Sequence, residues 1–261
     1  MIIRFFLVPL LFLSLFAPPK DIDISAESAI LVSPLVKRVI YSKNPHKKLA
    51  PASTVKIMTA LLTLKNGDLD NRLIVSKFAS SMEPSKIYIK EGEEYTRGGL
   101  VRAILLNSGN DASVALAENV GGAEKDFVMM MNMLAEKIGA KNTNFTNSNG
   151  LPDEKQYSTA YDLALVVREA MKDKRFVSIM NLKYDEIEEL KTGRKIKLKN
   201  HNKSLWKDKP YVIVGKTGYT KKAKHCFAGY IQYNRWRRVI VVILKSNSLW
   251  KDLEVLAESM L

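Results

Sequence analysis

Cysteine and histidine are scarce in this chain. Cys226 is the only cysteine, which excludes both an intrachain disulfide framework and a cysteine zinc cluster. The three histidines, His46, His201 and His225, share no metal-ligand spacing and read as surface or core residues. No internal repeat, low-complexity tract or linker interrupts the sequence. Acidic residues are scarce beside basic ones, 27 against 41, and the formal charge is +14. A basic surface favours anionic partners such as nucleic acid, acidic lipid or an anionic wall polymer, and charge alone does not choose among them.

No apolar run is long enough to cross a membrane comfortably. The opening "MIIRFFLVPLLFLSLFAPP" is apolar from Phe5 to Ala17, 13 residues, against the roughly 20 that a spanning helix needs. One early arginine followed by such a run fits a secretory leader. Leu15 and Pro18 make a poor cleavage site, and Pro9 argues against a buried helix. Residues 1–20 are therefore expected to be a signal peptide or a retained N-terminal anchor. Membrane association is expected through residues 5–17, and the remainder, 21–261, is expected to be one catalytic domain. Export argues against a nucleic-acid partner.

A phosphate loop is lacking too. "VIVGKTGYT" offers Gly215-Lys216-Thr217, but the position five before Gly215 is Pro210, where G-x-x-x-x-G-K-[ST] requires glycine. The residues that follow carry no helical apolar stripe, so Lys216 needs another role.

What is present is a set of periodic segments. "ESAILVS" and "KRVIYSK" predict an early hairpin. "STVKIMTALLTLKNG" predicts a buried helix ending near Gly67. "TRGGLVRAILLNSGNDASVALAENVGG" predicts two helices broken around Ser108–Asn110, with Thr96 as a cap and Gly121-Gly122 as the end. "AEKDFVMMMNMLAEKIGA" places Phe127, Met130, Met131, Leu134 and Ile138 on one face, its methionines as core filler. Thr159 and Asp162 form a capping-box pattern. "YVIVG", "CFAGYIQY" and "RRVIVVILKS" predict strands, and "SLWKDLEVLAESML" a closing helix. Strands at both ends with helices between predict one mixed domain whose sheet is built from both termini.

Ser53 and Lys56 lie three apart in "PASTVKIMTA", one helical turn, so an ε-amine reaches the serine oxygen. The helix N-terminus favours a developing anion there. A serine hydroxyl needs a base. A lysine serves only when neutral, through desolvation or a neighbouring positive charge, and Lys216 is a candidate for that charge. Ser108 and Asn110, two apart in "LLNSGNDAS", mark the break between helices. By chance S-x-x-K is expected about once at this length, but S-G-N and K-T-G only on the order of 0.05 times each. Taken singly, Ser53 is a plain cap, Lys56 a solvated helix residue, Asn110 a turn residue and Thr217 a strand former. The three fragments in this order are the S-x-x-K, serine–amide and K-T-G set of penicillin-recognising enzymes.

The chain resembles the low-molecular-mass penicillin-binding proteins, the D-alanyl-D-alanine carboxypeptidases of the bacterial envelope. Beyond the three motifs, "APASTVKIMTALL", "NTNFTNSNGL", "YSTAYDLA" and "VGKTGYT" carry the likeness. The resemblance implies an α+β fold of the penicillin-binding-protein/β-lactamase-like transpeptidase type, an antiparallel sheet flanked by helices with an all-helical part. It implies that Ser53 attacks the carbonyl between two D-alanines with Lys56 as base. Ser108 would relay a proton to the leaving amine, and Asn110 would hold the substrate amide and Lys56. Lys216 and Thr217 would bind the terminal carboxylate beside Gly218, and the N–H groups of Ser53 and Tyr219 would form the oxyanion hole. It implies no metal or cofactor. The expected partners are peptidoglycan pentapeptides ending in D-Ala-D-Ala and β-lactam antibiotics. The expected location is the periplasm or the outer face of the cytoplasmic membrane. The sequence departs from the family pattern at Lys37, where a turn glycine is expected, at Gln156, where histidine is common, and in the basic "KKAKHCF". Alternatives are a D,D-endopeptidase using the same residues, a class A β-lactamase, and a basic wall-binding protein without catalysis. Against the second, this chain has no E-x-x-L-N after Asn110, and Gly109 stands where S-D-N has aspartate.

Overall fold

The computed structural model describes residues 22–36 and 38–261; the expectations for the leader and for Lys37 lie outside the described residues. A five-stranded antiparallel sheet runs in the order β2-β1-β9-β8-β7. Its strands are β1 (Ser28–Val32), β2 (Val39–Lys43), β7 (Val212–Thr220), β8 (Lys224–Gln232) and β9 (Arg238–Ser246). The sheet is thus built from both termini, as the sequence predicts. The central strand β9 is a nearly unbroken apolar run because both its faces are covered. Ile240, Val242 and Leu244 face one core; Val239, Val241 and Ile243 face a second.

The larger core is helical. It packs α1 (Lys56–Lys65), α3 (Arg97–Leu106), α4 (Asn110–Gly121), α5 (Glu124–Lys137) and α6 (Ala160–Ala170) against the sheet and one another. The smaller core holds Leu253, Leu256 and Ala257 of α8 (Leu249–Glu258) against the sheet's other face. Asp252 stitches the two chain ends together, accepting from Ser25 N and Oγ at 2.8 Å and from Ser246 Oγ at 2.6 Å.

Most helix signals hold. Thr96 Oγ1 accepts from Gly99 N at 3.1 Å and caps α3; Gly122, at φ +80°, ends α4. Thr159 Oγ1 caps α6 by accepting from Asp162 N, but Asp162 does not complete the box. Its carboxylate turns instead to Asn142 N and Thr143 Oγ1. On α5, Phe127 and Met131 are buried, and Met130, Leu134 and Ile138 are packed at the core's margin. Met129 and Met133 project outward, so only part of the methionine cluster is filler.

Several elements carry no clear signal in the sequence. Two are antiparallel strand pairs: β3 (Arg72–Ile74) with β4 (Glu94–Thr96), and β5 (Tyr184–Glu188) with β6 (Lys195–Lys199). Two are short helices, α2 (Lys77–Ser80) and α7 (Lys174–Met180).

Candidate active site

Ser53 does not open the α-helix. It lies in a 3-10 turn, Ala52–Val55, that leads into α1. Ala52 there has φ +49°, and the tight turn carries Ser53 into a cleft of about 360 Å³. Pro51 before this turn offers no side-chain cap, but its carbonyl accepts from Thr54 N at 3.3 Å and from Thr54 Oγ1 at 2.7 Å. The Ser53 hydroxyl meets Lys56 Nζ at 3.1 Å, so the predicted pair forms.

Lys56 is fully buried. Its Nζ also donates to Asn110 Oδ1 at 2.7 Å and to Asn149 O at 2.5 Å. Asn110 is fixed in that orientation because its Nδ2 donates to Glu83 O at 2.9 Å. A neutral amine has two hydrogens and one lone pair. The two fixed acceptors consume both hydrogens, which leaves the lone pair for the Ser53 O–H. Burial first, and then the Lys216 ammonium, hold the pKa of Lys56 well below the ordinary lysine range, against the opposing pull of Asp111.

Lys216 is also buried. Alternation along the edge strand β7 turns Val214, Lys216 and Gly218 toward the helical side. Lys216 Nζ donates to Ser108 Oγ and to Thr217 O, both at 2.9 Å; burial lowers its pKa to about 7. Ser108 is held at φ +63°, the kind of strained backbone that is kept where function needs it. Gly218 is required by close approach. A Cβ there would lie 2.8 Å from Ser53 N and 3.1 Å from Ala52 Cβ. Ser53, Ser108, Asn110, Thr217, Gly218 and Tyr219 line one cleft. Every residue of the expected site is therefore in the cleft or bonded to its lining.

Three contributors were not singled out from the sequence. The Asn149 carbonyl anchors Lys56, and no side-chain signature announces a main-chain acceptor. Gly150, at φ +87°, packs so tightly on the 3-10 turn that a Cβ would fall 2.1 Å from Ala52 O. Asp111 is buried and accepts from Ile87 N, Ile89 N and Ala112 N, which fixes the cleft wall; burial raises its pKa against those donors. Its position in the first turn of α4 was the available signal, but it reads as ordinary dipole compensation.

The departures find places. Gln156 is buried behind the loop, accepting from Thr146 N at 3.1 Å and donating to Leu151 O at 3.0 Å. It shapes the loop that carries Asn149 and Gly150. In the basic turn after β7, Thr220 Oγ1 accepts from Ala223 N, and Tyr219 packs on His225 with ring centres 4.7 Å apart. His201 and His225 both line the cleft.

Comparison with known proteins agrees with this geometry. The family model described as D-alanyl-D-alanine carboxypeptidase matches residues 15–248. The chain is 38% identical to the D-alanyl-D-alanine carboxypeptidase DacF of Bacillus subtilis, over 88% of this chain and 60% of that protein. It is 32% identical to DacA of Haemophilus influenzae, over 87% and 58%. It thus spans about three-fifths of the length of these curated relatives. The fold superposes on a D-alanyl-D-alanine carboxypeptidase from Mycobacterium tuberculosis with a TM-score of 0.85 and 26% identity, covering 93% of this chain and 94% of that one. It also superposes on the Streptomyces K15 DD-transpeptidase with a TM-score of 0.83 and 27% identity, covering 91% and 97%. With the α+β fold and the three motifs meeting in one cleft, the chain belongs to the D-alanyl-D-alanine carboxypeptidase family.

Proposed function

We propose that this protein is an exported serine D-alanyl-D-alanine carboxypeptidase that shortens peptidoglycan pentapeptides through an acyl-enzyme and is acylated by β-lactams. One observation carries the reading: a buried lysine amine, its hydrogens committed to Asn110 and Asn149, faces the Ser53 hydroxyl at 3.1 Å. Lys56 takes the Ser53 proton as Oγ attacks the carbonyl carbon. The N–H groups of Ser53 and Tyr219 receive the developing oxyanion; losing one such donor costs about 3–4 kcal/mol of barrier in related chemistry. Ser108, bonded to Lys216, passes a proton to the leaving nitrogen. Lys216 and Thr217 hold the terminal carboxylate, and the free edge of β7 at Thr217–Tyr219 offers main-chain groups to an extended peptide. Water then releases the shortened peptide.

Among the described residues no carboxylate side chain lines the cleft. This favours a peptidase over a class A β-lactamase, which deacylates with a glutamate. The site is proposed to lie in one catalytic domain over residues 21–261, working in the periplasm or at the outer face of the cytoplasmic membrane. No helix among the described residues is long and apolar enough to cross a membrane. Attachment is proposed through residues 5–17, outside the described residues.

The test is labelling with a fluorescent penicillin. The wild type is expected to give a stable, stoichiometric adduct and Ser53→Ala none. A wild type that does not label, or an alanine variant that does, would overturn the assignment of Ser53.

A further inference from the structure

A second recess lies at the end of the sheet remote from Ser53. It has a volume of about 380 Å³. Pro34 and Leu35 of the β1–β2 turn and Trp236 of the β8–β9 turn line it, together with Arg168, Met171 and Lys172 at the end of α6. The register puts both turns at the same end, since Val32 and Tyr230 both pair with Ile240. The catalytic end is the other one. Gly218, against which the Ser53 turn packs, pairs with Cys226, six residues along β8 from Gln232, or about 20 Å at the rise of a strand.

The turns are apolar at their tips, and they are held out into solvent. Leu35, Val36 and Trp236 are 83%, 72% and 81% exposed. Trp236 does not sit on a loose loop. Asn234 Oδ1 accepts from Trp236 N and Arg237 N, both at 2.8 Å, and Tyr233 N donates to Arg237 O at 3.0 Å. The other turn is closed by Ser33 N donating to Arg38 O at 2.9 Å, and Arg168 Nε ties it to α6 by donating to Pro34 O at 2.9 Å. Large apolar side chains fixed in water together at one end of a molecule mark an interaction surface, where single scattered ones would not.

The charge at this end is of one sign. Residues 28–67 and 211–251 contain no aspartate or glutamate, so no strand of the sheet carries an acid. Glu169 on α6 is committed to Lys65 at 2.9 Å and Lys172 at 2.5 Å. The arginines that line the recess meet neutral groups instead: Arg168 the Pro34 carbonyl, Arg235 the Trp236 ring at 5.0 Å, and Arg238 the Gln232 Oε1 at 2.9 Å and the Tyr230 ring at 5.5 Å. No carboxylate among the described residues lines the recess. Exposed tryptophan and aliphatic tips ringed by arginine match the interface of an anionic bilayer, where rings and short apolar chains enter at headgroup level and cations meet phosphodiesters. A hydrophilic polyanion would engage the cations and leave Leu35, Val36 and Trp236 in water.

We propose that the β1–β2 and β8–β9 turns form a docking surface for an anionic phospholipid bilayer. Leu35, Val36 and Trp236 enter the interface, and Arg168, Arg235 and Arg238 face the phosphodiester headgroups. The surface is separate from residues 5–17 and independent of the chemistry at Ser53. Its consequence is orientation. With the turns on lipid, the Ser53 end of the sheet is held about 20 Å farther out, so the cleft opens toward polymer and away from the membrane.

The test uses the full chain on vesicles whose acyl chains carry bromine, a quencher of tryptophan emission. One set is phosphatidylcholine alone; the other contains about one-third phosphatidylglycerol. Residues 1–20 contain no tryptophan, so the leader gives no signal, and the difference between wild type and Trp236→Phe isolates the Trp236 ring. Quenching of that ring is expected to be at least about threefold stronger on the anionic vesicles. Arg235→Glu and Leu35→Asp are each expected to lower it to the phosphatidylcholine level with Tm unchanged. Equal quenching on both vesicles, or none on either, overturns the docking surface, and this wild-type comparison needs no substitution. Loss in Arg235→Glu with full quenching in Leu35→Asp overturns insertion and leaves the turns a site for polyanions.

Discussion

At the scale of single residues, the proposed mechanism depends on two buried lysines that differ in what they must carry. Lys56 must be neutral to act as base, and Lys216 must be charged to hold a carboxylate. Burial depresses both, and the positive charge of Lys216 depresses Lys56 further. As pH rises, Lys56 loses its proton first and kcat/KM for D-alanine release rises. It then falls as Lys216 deprotonates, near pH 7 in the free enzyme. A bound carboxylate favours the charged form of Lys216, so the falling limb of kcat is expected at higher pH than that of kcat/KM. A kcat/KM profile whose falling limb is unchanged in Lys216→Ala would remove Lys216 from carboxylate binding. Lys56→Arg keeps charge and length but cannot supply a neutral base. Its D-alanine release is expected to drop by about 10³-fold; activity within tenfold of wild type would exclude Lys56 as the base. These residues were legible because each sits in a short pattern of chemically distinctive side chains. The Asn149 carbonyl was not, since every residue offers one.

At the scale of elements, the strands with two buried faces and the long helices were legible, whereas pieces held by charge pairing were not. "RRVIVVILKS" could hardly be anything but an inner strand. "YDEIE" and "KIKLK" do alternate, with Ile187 and Leu198 buried inward, but only two or three apolar positions support the signal. β3 and β4 have three residues each, below the length at which a period of two can be recognised. The 3-10 turn under Ser53 looks in sequence like the first turn of a helix because residue spacing barely separates the two. What sets that turn is tertiary: Gly150 presses on Ala52 from one side and Gly218 on Ser53 from the other. Gly150→Ala puts a methyl into backbone and strains a left-handed residue. It is expected to cost about 2 kcal/mol, roughly 4–8 °C in Tm at this length, and to slow penicillin acylation sharply by shifting Ser53. Gly122→Ala is the control. Its φ is +80°, but a Cβ there meets nothing within 4 Å, so it should cost about 1 kcal/mol and leave acylation unchanged. If acylation by Gly150→Ala matches that of the control, the glycine does not position the nucleophile.

At the scale of the whole molecule, the sheet drawn from both termini places β7 at its edge, and the sequence carries a formal charge of +14. The two kinds of positive charge behave differently toward salt. Lys56 and Lys216 are buried and screened little, while exposed lysines act over a Debye length that shrinks from about 10 Å at 0.1 M to about 3 Å at 1 M. Chemistry at Ser53 should therefore be nearly salt-independent and capture of an anionic polymer should not. Between 50 and 500 mM NaCl, kcat/KM for a soluble pentapeptide is expected to change less than about twofold, while the apparent KM on intact wall polymer rises about tenfold. Ser53→Ala should bind the polymer with the same salt dependence and release nothing, which separates retention from catalysis in one protein. If the wild type binds with this salt dependence but cleaves neither substrate, the charge alone explains the molecule and it is a wall-binding protein. If cleavage of polymer and pentapeptide falls in parallel with salt, the surface charge contributes no capture, and the sensitive step lies at Lys216 itself.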